Sequence, residues 1–405
     1  MNRFGFVFVA LMFAAFASTQ SKADELYVIN GLAETLSRVD LETDIVTNHI
    51  ATLNLYPNDI LIVRDTAYIV NSGSADIYLF DIIDGAIVGS IDIGPNRNPW
   101  QIAEISPDTF LTTNWMTNSV TKITASGQNL GEFDIGGSNP QGIVVRGNIS
   151  FITTVSFEWH DTSYSDGAVA AWDNRGDSIV QPIPVGNNPN DLAFGPDGNL
   201  YVVCTGDYSG TGMIYIIDTV QMAAVDSIDT GGNPTDIVIL PDGTAYIAAG
   251  GGWTPGTDGY VYTFDIYSRT LYHGSANPLL TDAFAITLTV ASDSTVFVMN
   301  FGDDTVTELD SSGAILRRFY VGDGAQVAAV WDSSPCEFER GDADASGGVD
   351  IDDVVYLISY IFTSGPDPAC DSITGEVDCS GDVDIDDVVY LIAFIFTGGP
   401  APCPY

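Results

Sequence analysis

Residues 342–353 read DADASGGVDIDD, a run that sets hard oxygen donors at alternating positions. Asp342, Asp344 and Ser346 stand at positions 1, 3 and 5, the Gly348 carbonyl at 7, Asp350 at 9 and Asp353 at 12, with Gly347 at the sharp turn. In a 12-residue calcium loop, alternate side chains and one carbonyl point at a single ion, so this spacing predicts a calcium site. Residues 376–387, EVDCSGDVDIDD, repeat the pattern with Glu376, Asp378, Ser380, the Asp382 carbonyl, Asp384 and Asp387 around Gly381. Two loops in register predict two Ca²⁺ ions. Glu376 stands where the first loop has Asp, and its extra methylene should displace the carboxylate from the ion, making the second site weaker. Zinc is disfavoured because the region has no His and its cysteines lack paired ligand spacing.

The loops need something to hold them. VDIDDVVYLISYIFTSGPDP at 349–368 returns as VDIDDVVYLIAFIFTGGPAP at 383–402, with 16 of 20 positions identical. Each copy passes from its acidic loop into a helical pattern, Val354, Leu357, Ile358 and Ile361 in the first, and a Gly-Pro pair ends it. Residues 336–405 carry 15 acidic side chains and one base, Arg340. Four of the five cysteines, Cys336, Cys370, Cys379 and Cys403, lie here, and four thiols allow three pairings. A module of about 70 residues has little core, so metal and disulfides are expected to supply much of its stability.

The duplicated loops, Asp at position 12 and one helix after each loop resemble a type I dockerin over Phe338–Tyr405. The resemblance implies a cohesin-like partner module and an extracellular polysaccharide-degrading assembly. Two features depart from that family: Glu376, and Ile351-Asp352 and Ile385-Asp386 at positions 10 and 11, where small hydroxyl residues often face cohesin. Dockerin-like folds bring their ends together, which favours Cys336 with Cys403 and Cys370 with Cys379 as a local loop.

The rest of the chain is repetitive. An x-N-P-x-x-I/L signature recurs with prolines at Pro57, Pro99, Pro140, Pro189 and Pro234. Aromatic-led segments such as YVIN, YIVN, YVVC and FVMN begin at Tyr27, Tyr68, Phe110, Phe151, Tyr201, Tyr246 and Phe297. A third strand ends in Asp40, Asp81, Asp173, Asp218, Asp265 or Asp310, with Thr124 in the odd repeat, and these acids suit the turns that follow. Short β-rich runs at a period of 40 to 50 residues predict a seven-bladed β-propeller. The chain opens on a second-strand motif, and AQVAAVWD near residue 330 is a first strand with no blade after it, so the late strand is expected to close the ring. Residues Glu25–Asp332 resemble the YVTN and NHL-like propellers, which include binding proteins, lactonases and lyases. Cys204 falls inside a strand, where a small buried residue is expected.

No histidine sits in a recognisable nucleophile or metal motif. His49 and His273 fall on outer strands, and His160 lies in the insertion SFEWHDTSYSDG of blade four. Blades five and six carry TGDYSGTG and GGGWTPGTDG at the corresponding place. Such loops emerge on the face of the blade-to-blade connections, so Trp100, Trp115, Trp159, His160, Tyr208 and Trp253 are candidates for a glycan or protein ligand at one mouth. The bland alternative is aromatics packing over one another. An enzyme of glycoside hydrolase or lyase type needs two suitably spaced carboxylates, and Glu158 with Asp161 is the pair nominated.

Composition sets the limits. With 45% hydrophobic residues and 11% aromatics, the chain is expected to fold rather than stay disordered. A formal charge of -42 disfavours phosphate backbones and anionic lipid, so no nucleic-acid partner is expected. Arg3, the apolar Phe4–Ala17 and Ser21-Lys22-Ala23 read as a secretory signal peptide, and no later stretch qualifies as a membrane span. The reading is residues 1–23 signal peptide, 24–332 propeller, 333–337 linker and 338–405 dockerin-like helical domain. It describes a secreted, non-catalytic binding or scaffold protein, with a carbohydrate-active enzyme as the alternative.

Overall fold

The computed structural model describes residues 24–158, 160, 162–332, 340–344, 346–363, 365, 368, 374–380 and 383–403. The expected signal peptide, residues 1–23, and the expected linker, residues 333–337, lie outside them. What is described is mostly antiparallel sheet, with two helices near the C-terminus.

Five four-stranded sheets recur. The strands Pro57–Val63, Thr66–Asn71, Asp76–Asp81 and Ala86–Asp92 pair in chain order, and three further sheets begin at Pro99, Pro140 and Pro189. The fifth joins the two ends of the β region: Ala325–Trp331 pairs antiparallel with Glu25–Asn30, setting Tyr27 opposite Ala329 and Ile29 opposite Val327. Residues 236–320 form a nine-stranded sheet in which two four-stranded runs meet through a single pair, Gly250 with Ala285. The first strands Ala325–Trp331, Pro57–Val63, Pro99–Ser106, Pro140–Arg146, Pro189–Phe194, Asp236–Ile239 and Ala285–Val290 each lie against the next, and the last lies against the first.

Burial follows position within a sheet. Second strands such as Thr66–Asn71 are buried on both faces, which is why they read as aromatic and β-branched runs without polar alternation. Outer strands such as Ala86–Asp92 alternate and are largely exposed. The core is shared between neighbouring sheets: Tyr27, Ile29 and Leu36 of one pack with Ile60, Ile69 and Phe80 of the next. Each fully buried side chain of this size contributes about 1.5–3 kcal/mol.

The Asn that ends several second strands is a bracket. Fully buried Asn30 donates from Nδ2 to Thr35 Oγ1 (3.0 Å) and Ser37 Oγ (2.8 Å), and its Oδ1 accepts the Gly322 N–H at 2.9 Å. Asn114 and Asn300 do the same toward Thr121 (2.8 Å) and Thr307 (2.9 Å). The Asp closing the third strand serves its turn: Asp40 accepts N–H bonds from Thr43 and Glu42, and backbone bonding, led by Thr43, holds its carboxyl below the usual range. Cys204 is buried, and burial pushes its thiol up to about 12, so it packs as an apolar group.

Candidate cation loops and the loop-bearing face

In the tail, α1 spans Ile351–Thr363 and α2 spans Ile385–Thr397. Val354 and Leu357 of α1 pack against Val388 and Leu391 of α2, with Ala343 and Val377 between the loops. Ile361 is partly buried in this core, whereas Ile358 turns outward.

The helices hold the two acidic loops by their twelfth residues. Asp353 is fully buried and accepts the N–H groups of Asp344 (3.2 Å) and Asp350 (2.7 Å). Asp387, also fully buried, accepts those of Val377 (2.7 Å), Asp378 (3.3 Å) and Asp384 (2.8 Å). Asp342 accepts from Ser346 and Gly347, each at 2.9 Å, and Gly347 takes the left-handed φ of 95° that this turn requires. One carboxylate oxygen from each of Asp342, Asp344 and Asp353 lies within 4.8 Å of the others, and the same holds for Glu376, Asp378 and Asp387. Position 9 is used otherwise: Asp384 caps α2 and Asp350 Oδ1 accepts the Asp352 N–H at 2.8 Å. The backbone of Ser346 donates to Asp344 (3.0 Å) and that of Ser380 to Asp378 (2.9 Å). Gly348 is described next to its turn, whereas Gly381 and Asp382 lie outside the described residues.

Desolvation raises the carboxyl of Asp353, with the charges of Asp344 and Asp342 adding to it, and pushes that of Asp387 up to about 6. Buried carboxylates this close repel one another unless a proton or a cation intervenes. The donors of the first loop are all oxygens, which suits a hard cation such as calcium and not a soft one.

The expected disulfide pairing is corrected. Cys403 pairs with Cys379, Cα atoms 6.1 Å apart, and not with Cys336. After α2 the chain returns along the second loop, where the Cys403 N–H donates to the Val377 carbonyl at 3.1 Å, and this brings Cys403 to Cys379. Cys336 and Cys370 lie outside the described residues. The cluster Glu376, Cys379 and Cys403 therefore offers no thiolates to a metal.

Both helices leave an apolar stripe in solvent. Ile351, Val355, Ile358 and Phe362 on α1 match Ile385, Val389, Ile392 and Phe396 on α2, all between 39% and 63% exposed. Their spacing puts each set on one helix side, opposite the shared core.

On the β region, the loops between second and third strands share a face with the segments leading into first strands. Ser72 bonds the Tyr56 carbonyl (3.0 Å), Trp115 that of Asn98 (3.1 Å), Thr205 that of Asn188 (2.9 Å) and Phe301 that of Phe284 (3.0 Å). Trp100, Trp115, Phe157, Tyr164 and Tyr208 form a continuous ladder here, with centroid spacings of 6.3, 5.9, 5.0 and 5.8 Å. Most of the ladder is thus aromatic covering aromatic, with Tyr208 exposed at its end. Trp253 stands apart, stacked on Phe284 at 3.7 Å yet 63% exposed. His160 and Glu158 are exposed, and Trp159 and Asp161 lie outside the described residues.

One group of acids escaped the sequence reading. Asp59, Asp191 and Asp236 occupy equivalent places on three first strands, two residues after their prolines, and Gln101 holds that place in a fourth. The Asp236 carboxylate accepts the Leu288 N–H at 2.5 Å, and Gln101 Oε1 accepts that of Ile143 at 2.9 Å. Burial pushes Asp59 up to about 6, and burial followed by the Asp236 charge pushes Asp191 well above the usual range. The recurring P-x-D/Q triplet was the available signal.

Comparison with protein families gives no match, and comparison with curated proteins gives none. Solved structures do resemble the chain. Hydrazine synthase of Kuenenia stuttgartiensis is 15% identical, covering 69% of this chain and 96% of that one at a TM-score of 0.54. A functionally unknown protein from Desulfotomaculum acetoxidans is 15% identical over 76% and 98%, with a TM-score of 0.58. A putative 6-phosphogluconolactonase from Bacteroides uniformis is 13% identical over 77% and 100%, with a TM-score of 0.57. These likenesses show a propeller-like fold.

Proposed function

We propose that the protein is a secreted, non-catalytic seven-bladed propeller used for binding or display, carried into an extracellular assembly by a calcium-dependent, dockerin-like tail. The unbroken cycle of neighbouring first strands supports the seven-bladed ring, with residues 236–320 supplying two blades. The observation that carries the docking role is the pair of matched apolar stripes, Ile351 to Phe362 and Ile385 to Phe396. Solvent-facing stripes on two helices of one small module are costly in water and suit a partner's apolar surface.

Calcium enters as the organiser of that surface. In the first loop Asp342, Asp344 and Asp353 would hold the ion, with Ser346, the Gly348 carbonyl and Asp350 within the same loop; Glu376, Asp378 and Asp387 form the second set. The bound ion would neutralise carboxylates that otherwise push apart the segments starting α1 and α2. Capture experiments with the full chain on an immobilised cohesin-type module test the reading. Retention in calcium and release by chelator are expected, as is loss of retention when Val355→Asp and Phe362→Asp are combined with Val389→Asp and Phe396→Asp. Retention that ignores both chelator and these substitutions would remove the docking role. For the propeller itself, exposed Trp253 and Tyr208 support a glycan or protein ligand on the loop-bearing face.

A further inference from the structure

Two of the positions at which the tail's copies differ meet in space. Glu376 answers to Asp342, and Arg340, two residues ahead of the first loop, answers to Thr374 ahead of the second. Arg340 Nη1 donates to the Glu376 carboxylate and, at 2.7 Å, to the Glu376 carbonyl. The same nitrogen lies 3.2 Å from Cys403 Sγ and 3.7 Å from Cys379 Sγ, so the guanidinium rests against the disulfide that ties the C-terminal segment to this loop. Both side chains are largely buried, Arg340 14% and Glu376 12% exposed. Thr374 is neutral and fully buried, and its carbonyl accepts the Gly341 N–H at 2.6 Å. Among the described residues, Asp342, Asp344, Asp350 and Asp353 form no ion pair. A second guanidinium, that of Arg175, lies 3.6 Å from Asp384 but is half exposed, where solvent screens it.

We propose that Arg340 is an internal counter-ion that occupies the Glu376 carboxylate beside Asp378 and Asp387, so that the tail takes up calcium in two separate stages, the first loop well before the second. The inference rests on the calcium reading above. A guanidinium stays protonated at any working pH, so raising the pH does not free Glu376 as it would free a protonated acid. For an ion to recruit Glu376 the buried pair must open and leave Arg340 facing a divalent cation; otherwise the ion binds with one ligand fewer. Either course weakens the site, by on the order of tenfold or more when charges meet at low solvent exposure. The paired departures from the duplicate make chemical sense together: the longer Glu side chain reaches the guanidinium, whose charge then opposes an ion at the adjoining carboxylates.

Calorimetric titration of the calcium-stripped full chain with CaCl₂ tests this. The wild type is expected to show two stages, with Asp344→Ala abolishing the tighter one. Arg340→Thr, which restores the counterpart residue, should tighten the weaker stage about tenfold and leave the tighter one unchanged. Glu376→Asp should act in the same direction while keeping Arg340, which separates the effect from any misfolding of the arginine variant. Two equal sites in the wild type, or a weaker stage that neither substitution moves, would overturn the role of Arg340 while leaving calcium binding intact. Absence of calcium heat in the wild type would remove both.

Discussion

The Asp59 carboxylate accepts the backbone N–H of Ile102 at 2.9 Å, joining the first strand of one sheet to the first strand of the next. Gln101 repeats the contact with Ile143, and Asp236 with Leu288. Apolar side chains fill the space between neighbouring sheets, and they set distance but not register. A side-chain acceptor aimed at a neighbour's N–H sets both. Three of these places hold acids, and the Asp236 charge raises the charging cost of both Asp59 and Asp191.

A pH dependence follows. Asp59 titrates at about 6 in the fold against 3.8 in the unfolded chain, so between these values the folded state binds more protons. The stability contribution of the protonated group is full below about 3.8 and is lost as pH rises through about 6. Asp59→Asn keeps an oxygen for the Ile102 N–H and removes the charge. It should raise stability by about 1–3 kcal/mol at pH 7 and change it little at pH 4. Denaturant melts of the two full-length proteins across pH 4 to 7, read as their difference, check this. A difference that is flat with pH would show that Asp59 is not held protonated.

The buried brackets give a second expectation. Replacing Asn30 by Ala removes the acceptor of the Gly322 N–H and the donor to the hydroxyls of Thr35 and Ser37, of which Ser37 keeps Asn48 as a partner. The loss should be about 1–3 kcal/mol. Asn300→Ala should cost a similar amount, because Thr305 and Thr307 lose the same kind of donor. Chemical unfolding of each variant measures it, and losses under about 0.5 kcal/mol would reduce the brackets to bystanders.

Ring closure gives the third. Ala325–Trp331 pairs with Glu25–Asn30 along its length, and Trp331 Nε1 donates to the Arg64 carbonyl at 3.1 Å, reaching the adjacent sheet. Truncation after Gly324 removes this strand and bares the Glu25–Asn30 edge. Cooperative unfolding should be lost there and retained by truncation after Asp332. Thermal melts of the two truncated chains decide it, and equal melting would sink the closure argument.

The β elements were legible because second strands buried on both faces must be apolar, and because turns and brackets demand Asp and Asn at fixed offsets. The pairing of the late strand with Glu25–Asn30 followed from the same periodicity. The Cys379–Cys403 pairing was not legible, because it depends on how the chain returns after α2, which no spacing encodes. The aromatic ladder was visible only as scattered residues. Whether Trp115 meets Phe157 or solvent is decided by the pairing of Phe157–Glu158 with Ser163–Tyr164. The outward stripes of α1 and α2 were hidden for a related reason: helices this apolar offer more hydrophobic residues than one core can bury, and the period alone does not say which side turns inward.

The loop-bearing face separates its aromatics into two kinds. Trp115 packs partly buried between Trp100 and Phe157, so Trp115→Ala should lower stability, by less than the about 3–5 kcal/mol that a fully buried aromatic costs. Trp253 is exposed on top of Phe284, so Trp253→Ala should leave the melting temperature nearly unchanged. If this face takes a glycan, the same substitution should weaken binding several-fold, since an aromatic contact contributes about 0.5–1.5 kcal/mol beyond area burial. Glu158→Gln and His160→Ala should then leave glycan binding intact. The enzyme alternative makes the opposite forecast, in which these two substitutions reduce turnover of a polysaccharide by about 10²- to 10⁴-fold while binding survives. Glycan-array binding and reducing-sugar release, measured on the same set of full-length variants, distinguish the two. If Trp253→Ala changes neither, the glycan proposal fails, and capture of a protein ligand on this face becomes the reading to test.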